Sequence, residues 1–183
     1  LSTLPAVIWR KQTNAPNKFM GSGMLPAGAY VTLEHEFILI FRKGPKREFK
    51  NEKEKKIRRE SAIFWEERNR WFSDVWLDVK GTLQALNDKE ARLRSAAYPI
   101  EIAYRLINMY SAKGDVVLDP FSGTGTTAAA AIASARNSIG YEIEHSMENI
   151  INRIGDVVVD FSMQFIRKRL AGHLEFVVDR LKT

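Results

Sequence analysis

The sequence predicts an α/β fold in which a helix joins two parallel strands. Residues 115–121 (Asp-Val-Val-Leu-Asp-Pro-Phe) form a compact apolar run that is typical of a buried strand. A glycine-led, then alanine-rich stretch over 123–135 is typical of a helix packed closely on a sheet, and residues 138–143 predict a second strand. Because another helical stretch follows, over 145–154, the two strands should be parallel with a right-handed crossover.

The amino-terminal part predicts two strands separated by a loop. Residues 6–11 (Ala-Val-Ile-Trp-Arg-Lys) predict a short strand that ends in positive charge. Residues 12–29 are rich in Asn, Gly and Pro and therefore predict a loop. Residues 36–42 predict a second apolar strand, which Gly44-Pro45 stops.

The segment 46–72 has the composition of a solvated helix. Lysine and arginine alternate with glutamate, and the pairs Glu52/Lys56 and Glu54/Arg58 are four residues apart in the favourable order. Tryptophans at such positions are more often core residues than base-stacking ones, so we expect Trp65, Trp71 and Trp76 in the core. Residues 77–95 show no clear period.

The carboxyl-terminal half predicts further helices and a last strand. Over 99–112, apolar residues recur at helical spacing, Pro99 suits the first turn and Gly114 suits the end. Two helical stretches are expected over 145–154 and 157–170. Residues 174–178 (Leu-Glu-Phe-Val-Val) predict a strand.

Composition excludes several classes of protein. The 183 residues are enough for one domain with a sizeable core, and the net charge of +6 favours an anionic partner. There is no cysteine, which excludes disulfides, thiolate zinc sites and cysteine nucleophiles. The three histidines are widely spaced, so no metal site is expected. Since no apolar run approaches the roughly 20 residues of a membrane span, and the first residues do not resemble a signal peptide, a cytoplasmic location is expected.

The strongest functional motif is the loop at 119–127 (Asp-Pro-Phe-Ser-Gly-Thr-Gly-Thr-Thr). It lies at the carboxyl end of a predicted strand, where open α/β sheets bind their ligands. Glycines at 123 and 125 allow a tight turn and a close approach of the backbone to a ligand. Glu142 ends the next strand, 19 residues after Gly123, where its carboxylate can accept hydrogen bonds from both hydroxyls of a ribose.

Three interpretations of this loop compete. It could serve only tight packing of strand on helix. It also satisfies the dinucleotide pattern as Gly123-x-Gly125-x-x-Ala128, with Glu142 at the expected distance. However, Asp119 would repel a pyrophosphate, whereas it would attract the ammonium and sulfonium of S-adenosylmethionine. We therefore favour S-adenosylmethionine and keep an NAD-dependent oxidoreductase as the alternative.

Residues 116–127 and 136–142 resemble the cofactor-binding part of amino-group DNA methyltransferases, which methylate N6 of adenine or N4 of cytosine. Residues 97–107 resemble the helix that precedes the glycine loop in these enzymes. Having that helix directly upstream is the order of the permuted class, in which the catalytic motif precedes the cofactor motif. Residues 7–11 and 35–43 resemble the strands that follow that catalytic motif, so the resemblance covers most of the chain.

The resemblance implies a Rossmann-like S-adenosylmethionine-dependent methyltransferase fold with permuted motif order. Residues 1–45 would be its strand-rich part, 46–94 the target-recognition region, and 95–183 the cofactor-binding part. The implied cofactor-binding residues are Tyr98, Pro99, Asp119, Pro120, Phe121, Gly123, Gly125 and Glu142. Of these, Glu142 would bind the ribose, and Tyr98 and Pro99 would contact the methionine end. The sequence departs from the family at 94–97, where Arg-Ser-Ala-Ala replaces a frequent His-Pro or Lys-Pro pair.

The partner implied by the resemblance is double-stranded DNA, methylated in a restriction-modification system. In the permuted class the target-recognition region lies where this chain has its basic segment, whose side chains could neutralise phosphates. The implied DNA-binding residues are Lys46, Arg47, Lys50, Lys53, Lys55, Lys56, Arg58 and Arg59. A solvated charged helix without a partner is the alternative, and a catalytically inactive DNA-binding module is a third possible function.

The catalytic motif of the family is missing. It consists of Asp, Asn or Ser followed by Pro-Pro and an aromatic residue, and no two of the six prolines here adjoin. No residue is therefore assigned a catalytic role. We expect the chain to be incomplete at its amino terminus, to bind cofactor weakly when alone and not to methylate DNA. The motif would come from the upstream part of the same enzyme or from another chain, and a homodimer stays open.

Overall fold

The computed structural model describes residues 1–11, 34–81 and 98–182. The predicted loop over 12–29 and residues 82–95 of the unpatterned stretch over 77–95 lie outside these residues. The chain divides into two compact units, Leu1–Lys46 with Ser73–Gly81, and Arg47–Phe72 with Thr82–Thr183. This division concerns compactness, and the functional regions assigned to 1–45, 46–94 and 95–183 stay predictions.

The first unit contains a three-stranded sheet in the order β2-β1-β3. Strand β1 (Ser2–Arg10) pairs antiparallel with β2 (His35–Arg42) and parallel with the short β3 (Val75–Trp76). The Trp9 side chain is buried, and its indole Nε1 donates a hydrogen bond to the carbonyl oxygen of Val79 at 2.7 Å. The two predicted strands are confirmed, although β1 begins four residues earlier than expected.

In the second unit, the predicted basic helix is two helices, α1 (Glu52–Glu60) and α2 (Trp65–Trp71). Asn51 caps the amino terminus of α1, because its side chain accepts a hydrogen bond from the Glu54 amide at 2.9 Å. The predicted i, i+4 pairs are wrong, because the Glu54 carboxylate bonds back to the amides that precede the helix. Glu52 instead pairs with Lys55, at 2.9 Å.

Helix α4 (Thr126–Ala133) packs on strands β4 (Val116–Asp119) and β5 (Asn137–Gly140), and helix α3 (Ile100–Tyr110) packs on α4. The strands are parallel, with Leu118 opposite Ile139 and Asp119 opposite Gly140, so the predicted parallel pair is confirmed. The small side chains of Ala130 and Ala131 are fully buried, which allows α4 to lie close to Tyr104 of α3.

The other face of β4 and β5 is apolar and exposed. Successive side chains of a strand point to opposite faces. Val117 therefore lies against the core of the second unit, whereas Val116, Leu118 and the paired Ile139 are exposed.

A buried cation joins α3 to the start of β5. The Arg136 guanidinium donates to the Ser111 carbonyl at 2.7 Å and to the Asn108 side chain at 3.2 Å. Burial lowers the pKa of Arg136 below its usual value. These neutral acceptors fix the position from which β5 runs towards Gly140.

Most of the described chain after β5 is helical. A 3-10 turn (His145–Met147), α5 (Glu148–Asn152) and α6 (Ile154–Leu181) follow β5. The strand predicted over 174–178 is therefore wrong, because these residues continue α6. In the described ranges, none of the helices has both the length and the apolar composition of a membrane span.

Contacts between α6 and α2 fix the register of the long helix. The Arg169 guanidinium binds both carboxylate oxygens of Glu67, at 2.5 and 2.6 Å, and donates to the Tyr104 hydroxyl. One turn further, the His173 ring stacks on Phe64 with centroids 3.9 Å apart, and its Nδ1 lies 2.9 Å from Glu66 Oε1. These pairs tie α2 and α3 to α6.

The three tryptophans expected in the core divide into two groups. Trp71 is 2% exposed and Trp76 is fully buried, which confirms the expectation for both. Trp65 is 58% exposed, so the core assignment of this residue is wrong. It is the first residue of α2 and lies on the side of that helix away from Trp71.

Candidate cofactor-binding site

The predicted site lies where the chain leaves β4 and β5. The amide of Tyr141 donates to the Asp119 carbonyl at 2.9 Å, and the amide of Ser122 donates to the Tyr141 carbonyl at 2.8 Å. These bonds continue the pairing of the strands beyond their ends. The glycine loop and the segment after β5 therefore run side by side, as the sequence predicted.

The Glu142 side chain is hydrogen-bonded to the glycine loop. Its Oε2 accepts the Gly123 amide at 2.6 Å, and its Oε1 accepts the Glu144 amide at 2.9 Å. These two hydrogen bonds, in the order Glu144 and then Gly123, hold the pKa of Glu142 below its usual value. The carboxylate is exposed and charged at neutral pH, and each oxygen keeps a lone pair for a further donor.

The hydrogen bond from Gly123 to Glu142 is expected to break only below the ordinary glutamate pKa of about 4.3. The pKa of Glu142 is lower in the folded state than in the unfolded state. The bond therefore contributes fully to stability above the ordinary glutamate pKa, and this contribution is lost as pH falls through the lowered pKa of the folded state. An NMR titration of the Gly123 amide would measure the midpoint. A midpoint above about 4.3 would contradict the prediction, and the transition should vanish in Glu142→Gln.

Asp119 and Tyr98 form hydrogen bonds at the start and at the end of the loop 119–127. Asp119 Oδ1 accepts the Phe121 amide at 3.0 Å, and the Tyr98 hydroxyl forms a 2.6 Å hydrogen bond with Thr127 Oγ1. Burial raises the pKa of Tyr98, and the negative charge of Asp119 raises it further. The side chain before α3 is thus joined to the first turn of α4.

The remaining predicted cofactor residues lie directly before α3 and along the loop 119–127. Pro99 is buried directly before α3, and Pro120 follows β4 at the surface. Phe121 is 87% exposed, at the outer edge of the loop. Gly125 precedes α4 with φ of 78°, a left-handed conformation that favours glycine.

The sequence interpretation gave no role to Gly140 or Ser122. A Cβ atom added at Gly140 would lie 2.7 Å from Ser122 Oγ and 3.1 Å from Ser122 Cβ. The glycine therefore lets the buried Ser122 sit against the end of β5. Gly140 was visible in the motif Ile139-Gly-Tyr-Glu142, but only the fold places Ser122 beside it.

Replacing Gly140 with alanine is expected to displace Ser122 and destabilise the protein by about 1–3 kcal/mol, because the new methyl group overpacks the loop. Urea unfolding would measure the change. Ser122→Gly in the same chain should recover most of it, since it removes both contacting atoms. Gly155→Ala is the matched control, because nothing lies within 4 Å of its Cβ position. Equal losses in the two alanine variants would contradict the prediction.

The eight predicted DNA-binding residues differ in their surroundings. Four of them pair with carboxylates, at 2.5 to 3.9 Å: Arg47 with Asp115, Lys50 with Glu48, Lys55 with Glu52, and Lys56 with Glu60. Arg58 lies over the Phe49 ring, 5.4 Å from its centroid. Lys46, Lys53 and Arg59 are exposed and have no carboxylate within 4 Å in the described part of the chain.

No cluster of three or more potential metal-ligating side chains occurs in the described ranges. His173, which the sequence interpretation treated as structural, stacks on Phe64 and pairs with Glu66. The chemistry available at the loop is therefore that of Asp119 and Glu142, two carboxylates that follow neighbouring strands, with the half-buried phenol of Tyr98 nearby.

Known proteins with similar sequences are DNA methyltransferases. The chain is 59% identical over 177 residues to the type II methyltransferase M.MthZI of Methanothermobacter thermautotrophicus, covering 97% of this chain and 50% of that protein. It is 50% identical over 171 residues to the type II methyltransferase M.MjaI of Methanocaldococcus jannaschii, covering 91% and 55%. The chain spans about half the length of these relatives.

The solved structures agree with the sequence comparison. A Thermus thermophilus protein described as a DNA modification methylase, in complex with S-adenosyl-L-methionine, matches with a TM-score of 0.65. The two sequences are 31% identical, and the match covers 86% of this chain and 54% of that protein. The α/β methyltransferase fold expected from the sequence is therefore confirmed. Since the family model for DNA methylases of the N6/N4 type also matches residues 2–153, the chain belongs to this family of DNA methylases.

Proposed function

We propose that this chain is the S-adenosylmethionine-binding part of a DNA methyltransferase of the permuted class, acting on N6 of adenine or N4 of cytosine. The observation that supports it best is the pair of carboxylates, Asp119 and Glu142, on adjacent strand ends. No lysine or arginine occurs in the loop 119–127. A site with this charge favours a cationic nucleoside over a dinucleotide with a pyrophosphate.

Glu142 and Asp119 bind different parts of the cofactor. Glu142 accepts the ribose hydroxyls, and Asp119 faces the positively charged methionine end, whose sulfonium supplies the methyl group when the cofactor is bound. Tyr141 and Ile143 flank Glu142 in sequence, and Phe121 lies in the glycine loop. All three side chains are exposed and apolar, which suits the adenine ring. Family membership and the S-adenosylmethionine complex of the Thermus thermophilus protein support the same cofactor.

Methyl transfer itself is proposed for an enzyme that also contains the Pro-Pro-aromatic motif, which residues 1–183 lack. We propose that this chain alone binds cofactor weakly and is inactive. In an alternative arrangement, a different polypeptide supplies the motif. The place of action is the cytoplasm, where the proposed DNA substrate is found.

Calorimetry with three ligands tests the cofactor. S-adenosylmethionine and its demethylated product are expected to bind, and NAD is not. Binding of NAD alone would instead support the oxidoreductase, an alternative that gains no support from the relatives. No binding of any of the three would leave a DNA-binding module in which the loop serves only packing.

We further propose that the segment 46–59 binds DNA phosphates, mainly through Lys53 and Arg59. Both side chains are exposed, and neither forms a salt bridge with a carboxylate in the described part of the chain. Fluorescence anisotropy with a labelled duplex, repeated over a range of salt concentrations, tests this. Replacing both residues with glutamine should reduce the salt slope by about one unit per lost contact. Lys55→Gln, which removes a lysine paired with Glu52, is the control and should change the slope less. Equal slopes in all variants would contradict the proposal.

A further inference from the structure

The outward face of α2 presents two aromatic rings and a cation. Trp65 and Phe72, which follows the last residue of α2, are 58% and 54% exposed, and Arg68 lies between them in sequence. The spacing of three and four residues places all three side chains on one face of the helix. We call Trp65, Arg68 and Phe72 the α2 platform.

The acidic residues of α2 lie away from the platform. Glu67 is buried in its pair with Arg169, and Glu66 pairs with His173 of α6. The charge that α2 presents to solvent is therefore positive, from Arg68 and Arg70. A helix with equal numbers of acids and bases thus has a basic outer face.

The guanidinium of Arg68 is held against both rings. Its central carbon lies 5.6 Å from the Trp65 ring centroid and 5.8 Å from the Phe72 ring centroid, within the range of a cation–π contact. These contacts order a flat cation and two flat apolar surfaces next to each other. Such an arrangement offers a base a ring to stack on and offers its phosphate a positive charge.

An exposed tryptophan is unusual in this chain. All four tryptophans lie in described residues, and Trp9, Trp71 and Trp76 are at most 2% exposed. Nothing in the packing of α2 requires a large apolar side chain at Trp65, because Trp71 supplies the contact with the core. The exposed ring therefore suits a partner.

We propose that the α2 platform stacks on an unpaired base of DNA while Arg68 binds the adjacent phosphate. The inference rests on the proposed DNA binding of the basic segment, which continues along the chain from α1 to α2. The positive charge of the platform is complementary to nucleic acid, and stacking tolerates any base. It assigns a role to three residues that the sequence interpretation did not include among the DNA contacts.

Tryptophan fluorescence of the full chain tests the platform, since Trp65 is the exposed emitter. A duplex with one unpaired base should quench the emission, and a fully paired duplex of equal length should quench it less. Trp65→Leu should remove the quenching and weaken binding of the first duplex about fivefold or more. Its affinity for the paired duplex should change less than twofold. Tyr110→Leu, which removes another exposed aromatic ring, is the matched control and should behave like the unaltered chain.

The outcomes separate this inference from the proposed function. If the chain binds DNA with the expected salt dependence but Trp65→Leu alters neither quenching nor affinity, the platform is overturned and DNA binding stands. If neither duplex binds, both are overturned. If Trp65→Leu instead changes the sedimentation of the free chain, the face is a protein interface and the platform is again overturned. Circular dichroism of each variant confirms that it is folded.

Discussion

Replacing Arg169 with methionine is expected to destabilise the protein by about 3–5 kcal/mol, because it leaves the Glu67 carboxylate buried without its partner. The side chain of Glu67 is only 4% exposed, and both of its oxygens bind the guanidinium. Burial alone would lower the pKa of Arg169, but the hydrogen bonds to Glu67 raise it, so the cation persists at all ordinary pH values. The loss is a large part of a typical stability of about 5–15 kcal/mol.

Urea unfolding measures the loss of stability in Arg169→Met, and two further variants serve as comparisons. Arg167→Met removes an exposed arginine from the same helix and should change stability by less than about 0.5 kcal/mol. The double variant Glu67→Met with Arg169→Met removes both charges and should be more stable than Arg169→Met alone. A double variant that is no more stable than Arg169→Met would contradict the prediction.

Replacing Glu142 with alanine is expected to weaken S-adenosylmethionine binding by about 10- to 100-fold. The carboxylate is proposed to accept both ribose hydroxyls, and hydrogen bonds to a charged group contribute about 1.5–3 kcal/mol. The variant also frees the Gly123 amide, so the glycine loop loses the bond that fastens it. Calorimetry measures both the affinity and its enthalpy.

Two comparisons make the Glu142 result specific. Glu148→Ala removes an exposed carboxylate from the following helix and should leave the affinity unchanged. Glu142→Gln retains hydrogen-bond acceptance without the charge and should bind with intermediate affinity. If Glu142→Ala and Glu148→Ala bind equally well, the ribose assignment is wrong, even if the chain binds the cofactor.

The short-range features of the fold could be predicted from the residues. The parallel strands and the alanine-rich helix followed from local patterns. The spacing of 19 residues between Gly123 and Glu142 in the sequence indicated that they lie close together in the fold. The strand predicted over 174–178 failed because Val177 and Val178 favour a strand locally, whereas α6 is anchored through Arg169 and His173. Local propensity is weak beside such contacts.

Pairs of residues that are far apart in the chain could not be predicted from the sequence alone. Glu67 and Arg169 are 102 residues apart, and neither forms a recognisable motif with its neighbours. The break between α1 and α2 contains neither glycine nor proline, so the basic segment predicted a single helix. Likewise, nothing in the sequence distinguishes the exposed Trp65 from the buried Trp71. The orientation of α2 depends on the long-range pairs of Glu66 with His173 and of Glu67 with Arg169.

The apolar outer face of β4 and β5 has a practical consequence for purification of this chain. Val116, Leu118 and Ile139 meet water there, and exposed patches of this kind promote adhesion between molecules. Samples will stay clear when dilute and cloud when concentrated, and dyes such as anilinonaphthalene sulfonate will fluoresce on them. An aspartate in place of Ile139 would keep the solution clear.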